Sequence, residues 1–206
     1  MYVPPHFREQ RIEVMHALIR AHPLGTLVTH ASDGLNANLV PFTLEGEGEF
    51  GLLRAHLAKA NDQIAALRES AEVLVVFQGP ESYITPSWYA AKAEHGKVVP
   101  TWNYAVVQAW GRPRVIDDAD WLRAQLEALT GAHEGPRAAP WHVADAPDNF
   151  VAAQLKGIVG LEIPVSRIVG KWKVSQNRPE ADRRGVSEGL RGEGLSGAMA
   201  DLVERR

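Results

Sequence analysis

The chain has 206 residues, is 45% hydrophobic and 23% charged, and carries a formal net charge of −3. That composition supports one folded domain with a sizeable core. The absence of cysteine excludes a disulfide framework and any thiolate metal site. No apolar run approaches the roughly 20 residues of a membrane span. Met1–His6 lacks a basic segment followed by an apolar one. A cytoplasmic protein outside the membrane is the expectation.

The elements follow in chain order. Arg8 to about His22 reads as a helix, with Ile12, Met15, Leu18 and Ile19 at helical spacing, ended by Pro23. Leu24–His30 reads as a strand, Ser32-Asp33-Gly34 as a turn, and Leu35–Leu44 as the returning strand of a hairpin. Phe50–Ala55 is a third strand and Lys59–Arg68 a helix. Val73–Gln78 is a nearly continuous apolar strand, expected to be buried on both faces and broken by Gly79-Pro80. Tyr83–Tyr89 then reads as an irregular aromatic segment.

A long strand occupies Thr101–Ile116, interrupted near Gly111 and Pro113. Asp118 opens a helix to about Thr130, carrying Trp121, Leu122, Leu126 and Leu129. A loop spans Gly131–Pro147, and Asp148 caps a short helix through Lys156. One or two strands lie in Gly157–Val174. The pattern predicts a single domain over 1–206, with helical insertions at about 118–156 and a polar tail at about 179–206. Strands do not alternate regularly with helices, so a mostly β, mostly antiparallel barrel with attached helices is expected.

Charge is distributed unevenly. Residues 1–166 sum to −6 and residues 167–206 to +3, with Lys171, Lys173, Arg178, Arg183 and Arg184 in the basic end. The acidic bulk argues against a protein that simply coats nucleic acid. Gly192-Glu193-Gly194-Leu195-Ser196-Gly197 matches G-x-G-x-x-G, but no strand precedes it and nine residues follow, so it reads as a flexible tail. The eight histidines show no pair at metal-ligand spacing, and no G-x-S-x-G elbow is present.

Four segments carry ligand chemistry. His56-Leu57-Ala58-Lys59-Ala60-Asn61 places a cation and backbone amides at a helix entrance, which suits an anion or is a plain helix start. Tyr83–Tyr89 holds three rings, fit for a pocket wall or a subunit interface. On a strand, Thr101 and Asn103 share one face and Trp102 and Tyr104 the other. Thr101 and Asn103 are expected to face a ligand, with Trp102 the ring able to reach it. Lys171, Lys173 and Ser175 share a face opposite Trp172 and Val174, read either as an anion face or as an edge strand guarded by lysines.

These segments, together with the start Met1-Tyr2-Val3-Pro4-Pro5-His6-Phe7, the run Val99-Pro100-Thr101-Trp102-Asn103-Tyr104 and Lys173-Val174-Ser175-Gln176-Asn177-Arg178, resemble the PaiB family of FMN-binding negative transcriptional regulators. The resemblance runs from residue 1 to about 190. It implies a split β-barrel of the flavin reductase and pyridoxamine-phosphate-oxidase-like kind, and a homodimer with FMN at the subunit interface. It places Asn38 and Leu39 against the isoalloxazine ring and His56, Lys59 and Asn61 at the phosphate. Thr101, Trp102 and Asn103 approach from the partner, with Lys173, Gln176 and Arg178 as further contacts. Lys59 stands where members often have arginine, which gives up a bidentate fork. Asp62 replaces a common proline and is expected to face water. The family name implies a repressor that contacts DNA. The alternatives are a flavin-dependent oxidoreductase and, more distantly, a haem-handling barrel.

Overall fold

Apolar residues alternate with polar ones in most of the strand segments, and the chain buries the apolar set on one side. A computed structural model describes residues 1–32 and 34–205. The turn expected at Asp33 therefore lies partly outside the described residues. Nine strands form among them: β1 (Arg8–Glu9), β2 (Leu24–Ala31), β3 (Gly34–Pro41), β4 (Thr43–Glu45), β5 (Leu52–Ala58), β6 (Val73–Ile84), β7 (Thr101–Gly111), β8 (Arg114–Ile116) and β9 (Ile158–Lys173). Their order is β3-β2-β6-β7-β9-β5-β4, with β1 and β8 also paired to β9. The pairings of β2 with β3 and β6, and of β9 with β1, β5 and β8, are all antiparallel.

Seven helices accompany them: α1 (Ile12–Ala21), α2 (Gln63–Glu69), α3 (Ala90–His95), α4 (Ala119–Glu134), α5 (Asp148–Leu155), α6 (Glu180–Gly192) and α7 (Gly197–Glu204). No helix among the described residues is long and apolar enough to cross a membrane. The chain divides into two units. One comprises Met1–Ala21, Gln78–Val107 and Val169 onward, the other His22–Phe77 and Gln108–Ile168.

In the second unit the β2–β3 hairpin pairs in full register from Leu24↔Pro41 to Ala31↔Gly34. The expected strand Leu35–Leu44 divides at Phe42. Phe42 donates its N–H to the Pro23 carbonyl at 2.9 Å, and its buried ring meets Phe77 edge-on at 5.8 Å. Beyond it, β4 pairs with β5 instead of β2. The α4–α5 insertion has its own core of Leu122, Val143, Val151 and Leu155. Asp118 caps α4 by accepting the Trp121 N–H at 2.7 Å, whereas Asp148 is the first residue of α5 and Pro147 its cap. Trp121 lies flat against Gly160 of β9, where an added Cβ would come within 2.2 Å of the ring.

Three expectations are corrected in the first unit. Arg8 and Glu9 are strand, paired with Lys171 and Gly170, so α1 starts only at Ile12. Gly79-Pro80 does not break β6, which continues to Ile84. Gly79 is packed against Leu18 and the Ala105 carbonyl, a closeness only a missing side chain permits. The polar tail is two helices. Val186, Leu190, Met199, Ala200 and Val203 on them are fully buried. The Gly192–Gly197 run is the bend joining these helices, with Ser196 capping α7 through the Met199 N–H at 3.2 Å.

The glycines of α6 hid it from a periodicity reading, and Trp88 explains them. A Cβ on Gly189 would fall within 2.4 Å of the Trp88 ring, and one on Gly185 within 2.0 Å of the Trp88 carbonyl oxygen. Gly192 has nothing within 4 Å. Gly185→Ala is therefore expected to destabilise by about 1–3 kcal/mol through overpacking. Gly192→Ala is expected to be neutral or to stabilise by up to ~1 kcal/mol through helix propensity. Thermal denaturation of the two variants checks this: the Gly185 midpoint falls and the Gly192 midpoint does not.

Candidate functional site

The anion-suited turn is built where β5 runs into α2. Leu53, Ala55 and Leu57 of β5 are buried, which turns Arg54 and His56 to the opposite face, toward α4. There the His56 Nδ1 lies 2.8 Å from the Gln125 Oε1. The turn itself is fixed by backbone: Lys59 N–H donates to the Gly157 carbonyl at 2.8 Å, and Asn61 N–H to the Ala58 carbonyl at 2.9 Å.

Lys59 is half-exposed at its side chain, and its Nζ is 3.6 Å from Asp117 Oδ1. Asp117 has a shorter partner, the Arg68 guanidinium at 2.7 Å. The Arg68 hydrogen bond holds the Asp117 carboxyl below the usual carboxylate range. Lys59 is thus loosely held and keeps donors to spare. Lys59, Asp117 and Lys156 border a cavity of 310 Å³ whose remaining lining is Ala119, Leu122, Ala152 and Leu155. Asp62 is exposed, as expected.

Gln63 joins the turn to the β2–β3 hairpin. It is 1% exposed. Its Nε2 donates to the Leu27 carbonyl at 3.0 Å and to Thr29 Oγ1 at 3.1 Å, while its Oε1 accepts from Asn38 Nδ2 at 3.1 Å. Its own N–H donates to Asn61 Oδ1 at 2.9 Å. Asn38 and Asn61, far apart in sequence, are thereby parts of one hydrogen-bonded group. Leu39, next to Asn38 on β3, is exposed.

The other expected residues lie in the first unit, and here the faces of β7 are the reverse of the expectation. Asn103 is 1% exposed and donates to the Ser175 Oγ at 2.9 Å, so its amide is satisfied internally. Trp102 is exposed and meets Tyr83 edge-on at 5.9 Å. The reversal follows from alternation: Asn103, Ala105 and Val107 share the buried side, which leaves Trp102 and Tyr104 the outer one. Lys173 Nζ donates to Thr101 Oγ1 and to the Trp102 carbonyl. Gln176 accepts from the Val174 N–H at 2.8 Å and donates to the Trp172 carbonyl, so its amide is spent on its own turn. Arg178 lies 4.7 Å above the Tyr89 ring.

Sequence reading missed Gln63 and Gln125. The two glutamines carried a signal, since each sits within a helical apolar stripe: Gln63 with Ala66 and Leu67, Gln125 with Leu122 and Leu126. A polar residue on a buried stripe asks for a partner. Gln125 still has a buried Nε2 with no hydrogen-bond partner among the described residues.

A family profile described as "Putative FMN-binding domain" matches residues 1–167. An uncharacterized protein of Emericella nidulans is 36% identical over 244 residues, covering 100% of this chain and 97% of the relative. The Bacillus subtilis protein named protease synthase and sporulation protein PAI 2 is 32% identical over 206 residues, covering 99% and 97%. Among solved structures, the flavocytochrome Anf3 of Azotobacter vinelandii superposes with a TM-score of 0.60 at 15% identity, covering 83% of this chain and 72% of that one. The FAD and heme binding protein of Mycobacterium smegmatis gives 0.60 at 18% identity, covering 81% and 73%. At such identities the likeness speaks for the fold, which is the split β-barrel. With the family profile spanning most of its length and the PAI 2 relative matched along nearly all of it, this chain belongs to the FMN-binding PaiB family.

Proposed function

We propose that the chain binds FMN, with the phosphate taken by Lys59, His56 and Asn61 and the ring laid along Asn38 and Leu39 of β3. The observation that carries this is Gln63, whose side-chain Oε1 accepts from Asn38 Nδ2 at 3.1 Å and whose backbone N–H donates to Asn61 Oδ1 at 2.9 Å. A ring-lining strand and an anion-suited turn are held as one unit, as a ligand with a flat ring at one end and a phosphate at the other requires. Lys59 supports the fit, because its side chain is half-exposed and its one carboxylate partner among the described residues lies 3.6 Å away. FMN, when bound, supplies the redox chemistry. The chain's own residues bind and orient it.

A second copy of the chain completes the reading, with Thr101 and Trp102 reaching the cofactor from the partner. Support comes from large apolar side chains left in water. Trp102 and Tyr83 are 52% and 46% exposed in one unit, and Leu35 and Leu39 are 77% and 65% exposed in the other. Exposed apolar surface of this kind marks an interface. DNA stays outside the reading, since the chain has a net charge of −3 and nucleic-acid binding needs a basic face.

Titrating FMN into the purified protein, followed by flavin fluorescence, is expected to give saturable binding. Lys59→Ala weakens it about tenfold or more, the worth of a charge-assisted hydrogen bond. Lys59→Arg keeps it, and riboflavin binds both forms alike. Equal FMN affinity in the alanine variant removes Lys59 from the site. Light scattering at micromolar concentration is expected to give twice the chain mass of 22.6 kDa. A monomer mass overturns the dimer.

A further inference from the structure

We propose that Lys173 and Arg178, backed by the buried Lys171, form a second oxyanion site, which takes the phosphate or carboxylate group of a ligand other than FMN. The site belongs to the first unit, and it departs from the expectation that Lys173 and Arg178 hold the cofactor.

Lys171 and Lys173 stand two apart at the end of β9, on one face, with Trp172 buried on the other. Lys171 is 8% exposed. Among the described residues no hydrogen bond or ion pair reaches its ammonium, which lies 5.1 Å from the Tyr104 ring centroid and 5.9 Å from that of Tyr2. Rings attract a cation, but they do not neutralise it. Lys173 spends its donors on neutral acceptors, Thr101 Oγ1 and the Trp102 carbonyl, and has a third N–H left. Arg178 rests on the Tyr89 ring. None of the three cations has a carboxylate partner among the described residues, although the chain as a whole is acidic. Burial, and then repulsion from Lys171 and Arg178, hold the Lys173 ammonium below the usual lysine range.

The backbone is bent to keep these charges together. Ser175 has φ 64° and is the one non-glycine residue with positive φ among the described residues. It is buried, and Asn103 locks it by donating to its Oγ at 2.9 Å. The Arg178 N–H then donates to the Ser175 carbonyl at 2.9 Å, closing the turn that brings Arg178 back toward Lys173. The turn gathers like charges, and a positive-φ residue locked by a buried hydrogen bond is the kind of backbone feature that collects at binding sites. An oxyanion between the cations offsets their repulsion.

The surroundings describe the rest of the ligand. Lys173 is bonded to the backbone of Trp102, and the exposed Trp102 and half-buried Tyr104 rings border a cavity of 300 Å³ with Gln78, Glu81, Ala105 and Val106. Rings favour a flat body, and Glu81 disfavours a second negative charge there. The ligand class is a flat, otherwise neutral molecule with one anionic group.

The probe is inorganic pyrophosphate, titrated calorimetrically into the full chain with and without saturating FMN. One site per chain is expected with FMN bound; without FMN, the second site is the binding that the Lys173 and Arg178 variants remove, apart from any at the vacant Lys59 turn. Lys173→Met and Arg178→Gln, checked for an unchanged thermal midpoint, each weaken pyrophosphate at least tenfold while FMN affinity changes less than twofold. The proposal is overturned if pyrophosphate shows no saturable binding or is indifferent to both variants. It is overturned equally if pyrophosphate competes with FMN and both variants weaken FMN, because the cluster then holds the cofactor's own phosphate. The placement of FMN at Lys59 rests on the previous reading. Should FMN fail to bind, the pyrophosphate titration without flavin still decides the second site.

Discussion

The buried amide of Gln63 is the constraint on which the candidate cofactor region depends. An amide with 1% exposure has to find partners for both its ends, and those it finds lie on β2 and β3, distant in sequence from α2. β2 supplies the Leu27 carbonyl and the Thr29 hydroxyl, and β3 supplies Asn38. Replacing the side chain leaves buried donors and acceptors unpaired, at about 1–3 kcal/mol each. The amide therefore fixes more than stability. It sets the distance between the β3 strand and the turn that carries Lys59 and Asn61. α2 is only seven residues long and has no side-chain cap, so its placement comes from this packing and not from its own helical strength.

The α4–α5 insertion is attached by an analogous device on β9. Gly160 leaves room for the Trp121 ring, and Glu162, two residues on, accepts the indole N–H at 3.1 Å. The same carboxylate takes Arg54 at 3.0 Å and Arg114 at 3.3 Å. Arg54 is held on its other side by Glu45 at 2.6 Å. Four strands and one helix thus share a half-buried charge network. Its worth is geometric more than energetic, since each ion pair spends much of its attraction on desolvation. What it secures is that α4 lies over the His56 face of β5, where Gln125 meets the imidazole.

In the first unit the organising feature is Trp88. Two glycines of α6 are needed so that the helix can lie against it, and the close packing buries Val186 and Leu190. α6 and α7 are also joined electrostatically, with Arg191 bridging Asp201 at 2.7 Å and Glu204 at 2.9 Å. These pairs are exposed and contribute little each. The apolar contacts carry the attachment. Asp182, 2% exposed, caps the start of α3 by accepting the Ala91 N–H at 3.0 Å, so α6 also orders the segment that follows Trp88.

Much of this was legible in the residues. Strand alternation gave β2, β3, β7 and the apolar part of β6, and the Asp118 cap gave the start of α4, because these depend on local periodicity and local hydrogen bonds. The family was legible as well, through motifs whose order is linear. The chain by itself also determined which cations are available, since Lys59, Lys171, Lys173 and Arg178 are read directly. Tertiary structure alone decided what those residues are free to do. It turned Asn103 inward to Ser175 and Trp102 outward, because the burial side of a strand is chosen by what packs on it. It made helices of a glycine-rich terminal stretch, because the glycines are spaced for Trp88 and not for solvent. It left Lys171 buried without a carboxylate, a fact about distance between segments that no spacing along the sequence records.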